Sequence, residues 1–184
     1  MIYGERIRLR SIERSDLPNY VEWLNDPEVI AGLMMNIPFS LEDETHWFEG
    51  LADRPAEERP LAIEIRDGEG WRLIGSCGYH NIDWKNRAAE VGIAIGNKAS
   101  WNQGYGTETM RLMLKFGFET LNLNRIFLRV YEYNQRAVRS YEKAGFVLEG
   151  KLRQARYQAG KYHDEYIMSV LRSEWEPADS KEQA

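Results

Sequence analysis

"EVGIAIGNKASWNQGYGTETMRLML", residues 90–114, opens as a strand and closes as a helix. Val91, Ile93 and Ile95 alternate onto one face, the period of a half-buried strand. Met110, Met113, Leu114, Phe118 and Leu121 then recur at helical spacing, which predicts a helix from about Thr107 to Leu121. Between the two, Gly104 and Gly106 stand one residue apart. Backbone freedom at a helix entrance suits an anion gripped by bare main-chain N–H groups. A dinucleotide fingerprint lacks its third glycine, which would fall at Thr109, and this leaves a nucleotide-binding protein as the weaker rival. No Gly-Lys-Ser/Thr occurs in the chain, so an NTPase loop is excluded. On this fragment alone, a tight turn without a ligand is the competing reading.

Working outward, "ERIRLRSIE" alternates as a strand, with Ser15 as a helix N-cap before Leu17, Tyr20, Val21 and Leu24. Asn25-Asp26-Pro27 ends that helix and starts a short one. Ser40 with Asp43 forms a capping box opening "LEDETHWFEGLA". "PLAIEIRD" and "WRLIGSCGYHNID" flank a Gly68-Glu69-Gly70 hairpin turn. After the glycine turn come strand "NRIFLRVYEYN", helix "QRAVRSYEKAG" capped by Gly145, and two strands meeting at Ala159-Gly160-Lys161. A helix between "EVGIAIG" and "RIFLRV" implies a parallel pair within an otherwise antiparallel sheet. The expectation is one α+β domain over residues 1–175, a mixed twisted sheet of about seven strands with about four helices, followed by a polar tail over 176–184.

Composition narrows the function. The 184 residues carry a net charge of −5, and the 24 Lys and Arg are scattered rather than striped, which argues against nucleic acid as a partner. No apolar run is long enough to cross a membrane, and "MIYGERIRLR" has no apolar signal core, so a cytoplasmic protein is expected. The single cysteine, Cys77, allows no intramolecular disulfide. The three histidines lie far apart and no ligand spacing is clustered, so no metal is expected.

The stretch from Glu90 to Phe146 resembles the GNAT acetyltransferase superfamily across its two acetyl-CoA motifs. One is "EVGIAIG" running into "WNQGYGT" and a helix; the other is "RVYEYNQRAVRSYEKAGF", with Asn134, Ala137, Tyr141, Lys143, Gly145 and Phe146 at the family's spacing. "RSIERSDL", "FGFETLNLNRIF" and "GKYHDEYIM" are similar to the branches that acetylate ribosomal-protein N-termini and spermidine. One departure stands out: Trp101 replaces the Gln or Arg that usually opens the turn. The resemblance implies a GNAT fold whose parallel strands splay. It also implies acetyl-CoA as cosubstrate, and an amine acceptor that is a polyamine or a protein N-terminus. Aminosugar or antibiotic acetylation is the rival acceptor class, and a non-catalytic acyl-CoA sensor is the rival from outside the enzymes. Homodimers are frequent in the family, and the last strands are the natural surface for one.

The resemblance further places the pyrophosphate against Asn102, Gln103, Gly104, Tyr105, Gly106 and Thr107, where free N–H groups and the helix dipole favour an anion. It lays the pantetheine arm along Ile93, Ala94 and Ile95, with Gly92, Ala94 and Gly96 leaving room above the strand. Asn134, Ala137, Tyr141 and Lys143 complete the coenzyme contacts. Tyr141 matches the family's general acid toward sulfur, with a buried core tyrosine as the bland alternative. Glu90 is a base acting through water, a holder of the cationic amine, or a solvated strand end. Glu132, Tyr133, His80 and His163 compete for its role, His163 reading as surface beyond a turn and His46 as plain helix surface. Covalent catalysis through Cys77 finds no histidine placed to activate it. Acceptor choice falls to residues 15–60, where Trp23, Trp47 and Phe48 stand among Glu42, Asp43, Glu44, Glu49, Asp53, Glu57 and Glu58. Those acids either collect a cationic acceptor or form a solvated helix face.

Overall fold

Strands Ile2–Tyr3 (β1), Ile7–Ser11 (β2), Leu61–Asp67 (β3), Gly70–Asp83 (β4), Ala88–Ile95 (β5), Arg125–Tyr131 (β6), Val147–Gln158 (β7) and Lys161–Leu171 (β8) form one sheet. Their order is β1-β2-β3-β4-β5-β6-β8-β7. The structure, a computed structural model, describes residues 1–33 and 37–175, so the tail expected over 176–184 lies outside the described residues. The helices are Leu17–Leu24 (α1), Pro27–Ile30 (α2), Leu41–Glu49 (α3), Tyr105–Lys115 (α4) and Gln135–Ala144 (α5). The strand beyond the expected seven is the two-residue β1, too short to show a period.

Every neighbouring pair is antiparallel except β5 with β6. That parallel ladder holds only for Ala88 with Arg125, Ala89 with Ile126 and Glu90 with Phe127. Beyond it the two strands continue to Ile95 and Tyr131 without pairing, so the sheet opens into a V. The last two strands do not add in chain order: β8 pairs with β6 and leaves β7 at the edge.

One face of the sheet packs on α4 and α5. Met110, Met113 and Leu114 of α4 and Phe118 just beyond it meet Ile63, Val91, Ile126, Leu128 and Met168, all fully or nearly fully buried. Each such side chain contributes about 1.5–3 kcal/mol. A second cluster, Ile12, Leu17, Tyr20 and Ala62 with Trp23, Trp47, Phe48 and Leu73, seats α1 and α3 on the other face, over the N-terminal strands.

Local departures from the sequence reading have physical causes. The first helix begins not at Ser15 but after a 3-10 turn, Arg14–Asp16. There the Asp16 carboxylate accepts from Glu13 N–H (2.8 Å) and from Arg10, which ties the turn to β2. Ser40 and Asp43 form the expected capping box, and Gly145 caps α5 at φ 106°. The helix predicted to Leu121 changes instead to a π-helix over Phe116–Thr120. The Tyr79 hydroxyl causes this. It donates to the Met113 carbonyl and receives the Gly117 N–H, so it sits inside the helical ladder and forces wider bonding. Residue 117 must be glycine, since a Cβ there would lie 2.3 Å from that hydroxyl.

Candidate active site

A cleft of about 870 Å³ fills the V between β5 and β6, bounded by the start of α4 on one side and α5 on the other. At its foot Asn102 and Gly104 both take left-handed backbone, φ 60° and 84°, and Gly104 is the N-cap of α4. Successive N–H groups in such a turn converge into an anion-binding nest at the positive end of a helix. Gly106 lies against α5, where an added Cβ would be 3.2 Å from the Ser140 hydroxyl. The Thr107 hydroxyl meets the same Ser140 Oγ at 3.0 Å, joining the two helices.

The structure gathers nearly the whole expected set on this cleft. Glu90, Ile93, Ala94, Ile95, Asn102, Gly104, Tyr105, Gly106, Thr107, Asn134, Ala137, Tyr141 and Lys143 all line it. Gln103 does not: its side chain donates to the Ala99 carbonyl at 2.5 Å, and its own carbonyl accepts from Arg6 at 3.0 Å. Asn134 has a local duty as well, its Oδ1 accepting from Ala137 N–H (3.2 Å) as the N-cap of α5. The space expected above Gly96 is filled, because a Cβ there would fall 2.0 Å from the Trp23 ring.

Trp101 explains its own departure from the family pattern. Its indole N–H donates to the Ile95 carbonyl (2.7 Å), so one of the polar groups expected to meet pantetheine is already taken. Its ring carries the Arg136 guanidinium, 3.6 Å from the centroid. Burial holds the Arg136 pKa below the ordinary guanidinium range. With Arg139 and Lys143, which also line the cleft, α5 presents cations toward the glycine turn. An anion with several negative oxygens fits that arrangement.

Tyr141 stands across the cleft, nine-tenths buried beside Phe146 with ring centroids 6.0 Å apart. Burial pushes its phenol up to about 12, so it is a protonated donor at neutral pH. Glu90 is paired with Arg129, Oε1 to Nε 3.5 Å. Arg129 carried no signal in the sequence, since only the β5–β6 register brings it alongside. Of the rivals for the base, Tyr133 and His80 line the cleft, while Glu132 and His163 do not. Glu132 accepts from Asp164 N–H (3.1 Å) and faces His163 at 3.7 Å. Tyr133 donates to the Ala31 carbonyl at 3.0 Å. His163 is half-buried edge-on to Tyr133 with centroids 4.8 Å apart, not a surface residue past a turn. His80 packs over Gly92, and His46 is exposed beside Glu42 as expected.

The acids singled out in the roof, from Glu42 to Glu58, do not line the cleft. The Asp43 carboxylate accepts from Ser40 N–H (2.8 Å) in the capping box of α3, Glu49 pairs with Arg14 at 2.8 Å, Glu58 accepts from Ile82 N–H at 3.1 Å, and Glu44 is buried. From that roof Glu28, Trp47 and Arg54 line the cleft instead. Sequence reasoning also missed Glu165 and Tyr131, paired across β6 and β8 and both lining the cleft. A carboxylate in mid-strand is the signal that could have found Glu165, but only if β8 were known to be an interior strand.

Comparison with known proteins agrees with this geometry. Residues 6–147 match the acetyltransferase (GNAT) domain family. The chain is 31% identical over 176 residues to the uncharacterized N-acetyltransferase p20 of Bacillus licheniformis, covering 95% of this chain and 97% of that one. It is 30% identical over 172 residues to a spermidine N(1)-acetyltransferase of Vibrio cholerae, covering 94% and 96%. The crystal structure of the Vibrio cholerae spermidine N-acetyltransferase in complex with CoA and spermine superposes with a TM-score of 0.81 at 28% identity, over 93% of this chain and 98% of that one. The splayed strands, the glycine turn and the matched sequence lead to one conclusion: this chain belongs to the GNAT family and is an N-acetyltransferase.

Proposed function

We propose that the protein moves an acetyl group from acetyl-CoA to a primary amine by direct attack in a ternary complex. The observation that supports this reading is the left-handed backbone at Asn102 and Gly104, at the start of α4, on the same cleft as Tyr141. The diphosphate would rest on the amides from Asn102 to Thr107, excepting the Gln103 side chain, with Arg136, Arg139 and Lys143 offsetting its charge. The pantetheine arm would run along Ile93 and Ala94, whose edge of β5 has no strand partner beyond Glu90. An N–H of that edge near Ile93 would polarise the thioester carbonyl. Tyr141 would donate its proton to the departing sulfur.

For the acceptor, the likeness to a protein crystallised with spermine supports a polyamine, and the protein N-terminus is the other class we retain. Edge strand β7 exposes Val147, Leu148 and Leu152, which supports a homodimer through the final strands. A lone cysteine suits a reducing compartment, and among the described residues no helix is long and apolar enough to cross a membrane. We therefore read the enzyme as cytoplasmic.

The test is direct. Acetyl-CoA, but not ATP or NAD, should raise the melting temperature. Thiol release should then appear with spermidine or with peptides beginning Ala, Ser or Thr. A protein that acetyl-CoA leaves unshifted is not this enzyme.

A further inference from the structure

An amine arriving as an ammonium ion needs a negative seat, and the carboxylates lining the cleft are not equivalent. Glu90 is held by Arg129 (3.5 Å), and Glu28 is held by Lys98 (2.6 Å). Glu165 differs from both. It is 8% exposed, it takes no hydrogen bond or ion pair among the described residues, and it lies in the middle of an interior strand. Directly across the ladder, Tyr131 is 5% exposed, and its hydroxyl is buried without a partner. Two neighbouring polar groups therefore face one cleft with their hydrogen-bonding capacity unused. A carboxylate that opens onto a cleft with no cation paired to it, beside a buried phenol hydroxyl with no partner, points to a cationic ligand.

Building on the N-acetyltransferase reading, we propose that Glu165 and the Tyr131 hydroxyl form the seat of the acceptor ammonium group, and that Glu165 accepts the proton shed before attack. Burial raises the Glu165 carboxyl above its ordinary range, with Glu90 adding to the rise and Arg129 and Arg156 opposing it, which makes it a better proton acceptor than a solvated glutamate. The ammonium proton passes to Glu165, and the freed nitrogen lone pair forms a bond to the thioester carbonyl carbon. The carbon–sulfur bond then breaks, and the thiolate takes the Tyr141 proton. The surplus proton left on nitrogen restores Tyr141, and Glu165 later releases its own to solvent. Glu90, paired with Arg129, takes no proton itself and acts on Glu165 only through its charge.

Full-length wild type, Glu165→Gln, Tyr131→Phe and Glu90→Gln should be compared by calorimetry with acetyl-CoA, by thermal melting, and by thiol release with spermidine and with Ala- and Ser-initiated tripeptides. Glu165→Gln should keep its acetyl-CoA affinity within about twofold and its melting temperature at or above wild type, while kcat/KM for the best amine falls ~30-fold or more. Tyr131→Phe should lower the same ratio ~fivefold through acceptor KM, and Glu90→Gln should lower it less than Glu165→Gln does. A Glu165→Gln enzyme as active as wild type, or one that melts well below it, overturns the proposal, as does a larger loss in Glu90→Gln. A wild type that binds acetyl-CoA but acetylates none of these amines overturns this seat alone. One that does not bind acetyl-CoA overturns the N-acetyltransferase reading with it.

Discussion

Arg6 and Glu108 stand 102 positions apart in the chain and 2.9 Å apart in space, guanidinium Nε to carboxylate Oε2. The contact is multiple. Arg6 N–H also donates to Glu108 Oε1 (2.7 Å), Arg6 Nη1 donates to the Gln103 carbonyl (3.0 Å), and the guanidinium lies 4.8 Å from the Tyr105 ring centroid. One side chain just ahead of β2 thus fixes both the backbone of the glycine turn and a negative charge in the first turn of α4. Glu108 unmasked would repel a diphosphate at the helix start. Arg6→Met should therefore weaken acetyl-CoA binding ~three- to tenfold by calorimetry, with acceptor KM nearly unchanged. Adding Glu108→Gln should recover part of the loss.

Tyr141 supplies the second prediction. Its phenol is pushed up to about 12 by burial, so the acid form persists across the working range and is lost only when pH approaches that value. Wild-type kcat should show no alkaline fall from this group below about pH 10.5. Tyr141→Phe should lower kcat at least ~tenfold, about 1.4 kcal/mol, at every pH tested. An unchanged rate would remove Tyr141 from the chemistry.

Gly75 predicts a stability effect with a built-in control. A Cβ on Gly75 would fall 2.0 Å from the Ala94 carbonyl oxygen, in the strand that borders the cleft. Backbone must move to admit it, so Gly75→Ala should cost about 1–3 kcal/mol in denaturant unfolding and weaken acetyl-CoA binding. At Gly150 an added Cβ meets nothing within 4 Å, and Gly150→Ala should stay within about 0.5 kcal/mol of wild type.

Cys77 is buried, and burial pushes its thiol well above the ordinary range. A thiol held protonated is a poor nucleophile. The native enzyme should resist iodoacetamide, and Cys77→Ala should retain kcat. Inactivation by alkylation of this residue would reopen a covalent route.

Much of this protein could be read directly from its residues. The alternation of Ile7 and Leu9, the Ser40–Asp43 capping box, the Gly68–Gly70 turn and the helix closed by Gly145 are local patterns, and local patterns survive folding because backbone geometry sets them. The glycine turn and Tyr141 could be read as well, since a short motif carries its own spacing. Where local rules were applied across a tertiary contact they failed. Nothing in "LKFGFETL" announces that a tyrosine from β4 will lodge in the helix and widen it at Gly117. The acids from Glu42 to Glu58 read equally as an acceptor funnel or a solvated face, and packing gives Asp43 to a capping box and Glu49 to Arg14.

The site divides the same way. Sequence by itself located the glycine turn, through the conformational freedom of glycine, and the family resemblance singled out Tyr141; both line one cleft. Only tertiary structure decided which carboxylates line the cleft. Inserting β8 between β6 and β7 places Glu165 opposite Tyr131 in the sheet interior, while the short parallel ladder brings Arg129 beside Glu90. Whether a carboxylate is neutralised or left waiting for a cation depends on its neighbours in space, and strand order sets those neighbours.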